Sequence, residues 1–135
     1  MKPLVLIIFG LLPSAFFSAY SSPVFNCDVE HIRHLNSDGE LVVSDWGNTQ
    51  TMSGLSFTFN PSTGAYKTRS GINWAFDVFE AGNDKNSLKA ARVKKGPASV
   101  VLHSLSILTW DQLQFMLSSH NEVRSGRCKL EIGSD

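Results

Sequence analysis

Two cysteines, Cys27 and Cys128, constrain this chain more than any other feature, because a bond between them forces distant segments to be neighbours. Disulfides persist in oxidising compartments, so the first question is where the chain goes. Met1 and Lys2 make a short basic start, the stretch 4–12 (LVLIIFGLL) is apolar, and Pro13-Ser14 interrupts it. No charged residue occurs from Pro3 to Asn26. This is the layout of a secretory signal peptide. Ala19 and Ser21 put small residues where the peptidase reads, so the expected division is a signal peptide over 1–21 and one domain over 22–135. The apolar run falls short of the ~20 residues that a membrane-spanning helix needs. Phe25 and Asn26 before Cys27 do not suit lipidation, which requires a small residue there. Export places both cysteines in an oxidising compartment, and two cysteines allow one intramolecular bond. Closing a loop of about 100 residues stabilises by roughly 4–5 kcal/mol in the chain-entropy model.

The rhythm between the cysteines is that of an antiparallel β protein, with short alternating runs and turn residues about every ten positions. Phe25, Cys27 and Val29 alternate with polar neighbours, Asn36-Ser37-Asp38-Gly39 reads as a turn, and Leu41-Val42-Val43 reads as the returning strand. Residues 44–54 (SDWGNTQTMSG) are polar and read as a loop carrying Trp46. Leu55 to Phe59 alternates, Pro61 ends it, and Ala65 to Arg69 returns. Ile72, Trp74, Phe76 and Val78 form the strongest alternation in the chain. Further strands are expected over Leu88–Lys94, over Val100–Trp110, around Leu113, Phe115 and Leu117, and around Cys128, Leu130 and Ile132. About eight or nine strands with hairpin-length links predict an all-β fold, a single small antiparallel barrel or meander. The Cys27–Cys128 bond would set its first and last strands side by side. A two-sheet sandwich is the alternative.

Twelve basic residues balance twelve acidic ones, and loss of Lys2 with the leader tips the domain one charge negative. That balance does not suit a nucleic-acid or anionic-membrane binder. His31 and His34 form an H-x-x-H spacing, but on a strand they fall on opposite faces, so no metal site and no cofactor are expected. No serine lies in a G-x-S-x-G elbow, and Asp45, Asp77, Glu80, Asp84 and Asp111 are scattered, so no catalytic residue is assigned. The sharpest local feature is basic: Lys85, Lys89, Arg92, Lys94 and Lys95 lie within eleven residues that hold no acid. Such a patch can face an anionic partner, or it can blunt an exposed sheet edge. Trp74 is expected in the core and Trp110 at a strand end, whereas Trp46, beside Gly47-Asn48, is the candidate exposed aromatic.

Thr63-Gly64-Ala65-Tyr66 resembles the Ser-Gly-x-x-Tyr loop of periplasmic C-type lysozyme inhibitors, which are small exported β-barrels. The spacing here is one residue shorter. The Trp-x-Lys-Gly element that follows in that family is absent, since Trp74 leads into Ala75-Phe76-Asp77.

The function expected is a non-enzymatic binding or inhibitory module of the bacterial envelope, acting as a monomer on a protein or saccharide. Its contact candidates are Trp46, Asn48, Tyr66, Lys89, Arg92, Lys94 and Lys95. The absence of a usable glycosylation sequon, Asn60-Pro61-Ser62 being blocked by its proline, fits a bacterial origin. Two alternatives are a barrel carrier of a small apolar ligand and a hydrolase without a motif. A carrier needs an internal cavity, and a hydrolase needs a histidine within reach of an accessible serine or carboxylate in a cleft.

Overall fold

A computed structural model describes residues 22–45 and 49–132. The expected signal peptide lies outside the described residues. Ten strands and one short helix follow in the order β1 (Pro23–Leu35), β2 (Leu41–Val43), α1 (Thr49–Leu55), β3 (Phe57–Phe59), β4 (Ala65–Thr68), β5 (Asn73–Ala75), β6 (Asp77–Ala81), β7 (Leu88–Lys95), β8 (Val100–Ile107), β9 (Gln114–Ser119) and β10 (Glu122–Ile132). All pairings are antiparallel. The sheet order is β5-β4-β3-β1-β10-β9-β8-β7-β6, with β2 pairing β1 off this path. The two strands at the ends of that path, β5 and β6, are consecutive in the chain and separated only by Phe76. The sheet therefore curls into a nearly closed barrel rather than a sandwich.

The sequence expectation of adjacent terminal strands holds. Cys27 lies directly opposite Cys128 in the β1–β10 ladder, and the disulfide is formed with an S–S distance of 2.01 Å. Such a bond is compatible with an oxidising, extracellular location. Among the described residues no helix is long and apolar enough to cross a membrane.

Alternation explains which side chains fill the barrel. Phe25, Cys27, Val29, Phe57, Phe59, Leu88, Ala90, Leu105, Ile107, Phe115, Leu117 and Cys128 are buried, and the residues that alternate with them point out. Phe57 stacks on Tyr66 at 4.6 Å and meets Phe115 edge-on at 5.0 Å, and Phe59 meets Phe76 edge-on at 6.0 Å.

The structure departs from the sequence expectation at four places. The polar stretch 44–54 is not all loop, because α1 forms over Thr49–Leu55. Met52 and Leu55, one helical turn apart, pack on the core along the part of β1 that neither β2 nor β3 covers. Second, β1 carries a bulge: Val29 pairs Gly126 and His31 pairs Ser125, leaving Glu30 extra. The bulge resets the phase, so that Ile32 rather than His31 is buried. A Cβ on Gly126 would stand 2.0 Å from the Asp28 carbonyl oxygen and 3.0 Å from the Phe115 ring, so the absence of a side chain lets β10 approach the bulged strand. Third, the long alternation from Ile72 to Val78 is one chain segment serving two ladders. Phe76 donates its N–H to the Gly64 carbonyl at 2.9 Å, β5 pairs β4, and β6 pairs β7. Fourth, Ile72, Leu130 and Ile132 are exposed: Ile72 precedes β5, and Leu130 and Ile132 lie beyond the last β9–β10 pair, Gln114↔Arg127.

Candidate functional site

The barrel interior changes chemistry along its axis. One registered row of inward positions is Leu88–Ile107–Phe115–Gly126–Val29, and the next is Ala90–Leu105–Leu117–Arg124–Ile32. The row after that is Arg92–His103–Ser119–Glu122–His34. Apolar alternation thus turns polar on β7, β8 and β10 at the same end, where the β7–β8 and β9–β10 hairpins lie. The period of two fixes which residues face inward, and the register aligns these polar positions in space.

At this end Trp74 is the organising surface. Its ring stacks on Tyr66 at 5.3 Å, lies 4.6 Å from the His103 ring, and carries the Arg92 guanidinium carbon 4.6 Å above its centroid. A cation over an indole face is held by the ring quadrupole, more strongly where water is excluded. Arg124 is ion-paired through Nε to Glu122, and both side chains are only 16% exposed. Three buried polar atoms have no protein hydrogen-bond partner among the described residues: the Tyr66 hydroxyl, Arg92 Nη1 and His103 Nδ1. Tyr66 is 1% exposed and His103 is 6% exposed. Burial pushes the Tyr66 phenol up to about 12, against the opposing pull of Arg124. The Arg124 guanidinium is near that hydroxyl but completes no hydrogen bond of ordinary geometry with it. Burial also lowers the His103 pKa, reinforced by the positive charges of Arg92, Arg124 and Lys94. His103 is therefore neutral at pH 7, and Tyr66 is a protonated donor. Native proteins leave few buried polar groups unpaired, so three such atoms on side chains that contact one tryptophan stand out.

The sequence candidates fall into three groups. Trp46 and Asn48 lie outside the described residues. Tyr66 lies inside the barrel rather than on its outer surface; its phase on β4 puts it in the core, stacked between Phe57 and Trp74. Of the basic cluster, Lys89 is paired with Glu80 at 3.0 Å, Arg92 turns inward onto Trp74, and Lys94 and Lys95 are exposed. Sequence reasoning missed His103, Glu122 and Arg124. The available signal was the shared switch of three strands' inward phase from apolar to polar.

The alternatives meet specific geometry. Phe76, Leu105, Ile107 and Phe115 meet in the barrel centre with Trp74 packed against them, so an apolar ligand there would have to displace the core. His34 Nδ1 lies 3.0 Å from the Ser44 hydroxyl, and Ser44 is 4% exposed. A surface hollow of about 350 Å³ beside the β1 bulge is lined by Glu30, His31 and Arg127, and there Arg127 already pairs with Glu30 at 3.2 Å. The chain matches no known family model, no curated protein and no solved structure.

Proposed function

We propose that this protein is a non-enzymatic binding module, exported to the bacterial envelope, that holds an acidic partner at the basic, aromatic-walled end of its barrel. The observation that carries this reading is that Tyr66, His103 and Arg92, whose side chains all contact the Trp74 ring, each bear a buried polar atom without a protein partner among the described residues. Arg92, Arg124 and Lys94 outnumber Glu122 there, so the local field favours an anion. Export is supported by the leader-like residues 1–21 and by the disulfide. A rigid barrel that holds its loops and open end in place suits recognition.

The test is titration of the oxidised protein with acetate, phosphate, polyglutamate and polygalacturonate, read by tryptophan emission in a Trp46→Phe/Trp110→Phe background. Saturable change that weakens with salt, and that Arg92→Gln removes, is the expected result. Emission unmoved by every one of these anions refutes the reading.

A further inference from the structure

The basic end of the barrel is also where its wall is open. The β6–β7 ladder runs from Ala81↔Leu88 to Asp77↔Ala91 and stops. Beyond it, among the described residues, 92–95 pair only with β8, from Arg92↔His103 to Lys95↔Val100. β5, which would have continued the ladder, is drawn away to β4, and its Asn73–Ala75 stretch has no second strand neighbour among the described residues. A strand in this position presents alternate N–H and C=O groups outward, a template for another strand.

We infer that the open edge of β7 at residues 92–95 receives an extended acidic peptide segment of a partner as an added antiparallel strand. The inference rests on the acidic-partner reading above and specifies how that partner is held. Charge selects the occupant. Arg92, Lys94 and Lys95 carry this edge, and the nearest acid on the neighbouring strand is Asp77, at the point where the ladder stops. A second copy of the chain, added edge to edge, would set these cations against each other, which is the way lysines keep sheet edges apart. An acidic strand reverses that repulsion into cross-strand attraction. Register specifies the pattern. Arg92 and Lys94 face inward with Leu88 and Ala90, whereas Val93 faces out beside Leu102, its partner on β8, and both are exposed. An added strand therefore places acidic side chains opposite Arg92 and Lys94 and an apolar one opposite Val93. The inward carboxylate level with Arg92 enters the row that holds His103, beside Trp74. Main-chain hydrogen bonds supply affinity in this mode, and alternate side chains supply specificity.

The experiment uses the oxidised full chain and two synthetic peptides of equal charge, one alternating Glu with Val and one alternating Glu with Pro. Proline has no N–H and cannot complete a ladder. Expected are saturable binding of the Glu-Val peptide, slowed amide hydrogen exchange over 92–95, and much weaker binding of the Glu-Pro peptide. Lys94→Glu/Lys95→Glu, two exposed substitutions, should weaken the Glu-Val peptide at least about fivefold through lost and reversed cross-strand pairs. Equal binding of both peptides with no protection at 92–95 overturns strand addition and leaves the acidic-partner reading standing. Failure of both peptides together with the simple anions overturns both. Protection, in the free protein, of those amides of 92–95 that point away from β8 also overturns the inference, whether sedimentation shows a monomer covered by its own chain or a dimer.

Discussion

Replacing Tyr66 by Phe removes a single oxygen from the most buried part of the polar barrel end. The ring volume is unchanged, so the stack on Phe57 at 4.6 Å and on Trp74 at 5.3 Å is kept. What is lost is a hydroxyl with no protein partner among the described residues. An unsatisfied buried group of this kind costs about 1–3 kcal/mol. Arg124 nearby recovers part of that cost, which puts the gain at the low end: Tyr66→Phe should stabilise the free protein by about 1 kcal/mol. For a domain of this size that is a rise of about 4 °C in Tm. The measurement is urea and thermal unfolding of the oxidised wild type and variant under matched conditions. On the proposed reading the same variant should bind the acidic ligand more weakly, since the hydroxyl is one of the unpartnered donors at this end of the barrel. A rise in stability with a fall in affinity is the signature of a group kept for function. A loss of 1 kcal/mol or more on Tyr66→Phe would mean that the hydroxyl is already satisfied, and the reasoning about an orphaned site would fail. Alkaline pH offers an independent check. With its pKa raised from 10.0 to about 12, Tyr66 contributes stability present below pH 10 and lost as pH rises toward 12, because the unfolded phenol ionises first. Tyr66→Phe should remove that share of the alkaline slope.

Three further outcomes are expected. His103 is held below 6.5, so its contribution is present above pH 6.5 and lost as pH falls through the depressed folded value; His103→Gln should flatten the acid limb of stability against pH, and an unchanged slope would count against a buried neutral imidazole. Gly126→Ala should cost several kcal/mol or prevent folding, because its Cβ collides with the Asp28 carbonyl, whereas Gly39→Ala, with φ +83° and open space around it, should cost only about 1–2 kcal/mol; comparable unfolding midpoints for the two would refute the close approach at the bulge. Reducing Cys27–Cys128 releases a constraint across 101 positions and should lower unfolding free energy by roughly 3–5 kcal/mol, read as a fall in urea midpoint; an unmoved midpoint would show that the β1–β10 ladder holds without it.

Much of the barrel was legible because alternation is a local property. Phe57 and Phe59 around Thr58, and Phe115 and Leu117 around Met116, sort into buried and exposed positions from the chain alone. Helix α1 was not legible, since its apolar content is two residues, Met52 and Leu55, in a polar run. Their burial follows from a bare stretch of β1 that only the assembled sheet creates. The bulge at Glu30 was hidden too, because its cause is the missing side chain of Gly126, far along the chain. Of the site, Arg92 was singled out for its charge, but its inward turn onto Trp74 was not visible. Tyr66 was a contact candidate through the likeness of Thr63-Gly64-Ala65-Tyr66 to an inhibitor loop, and its burial on β4 was not visible in the chain alone.

The sequence by itself determined the all-β class, the turn positions and the facing of most strand residues, because each depends on neighbours two to four positions away. It also made the Cys27–Cys128 bond the sole intramolecular pairing two cysteines permit. Only the tertiary structure decided where the barrel stays open and what gathers there. Trp74, Arg92, His103, Glu122 and Arg124 come from four separate strands, and they meet because strand register, a long-range property, sets their levels along the barrel axis.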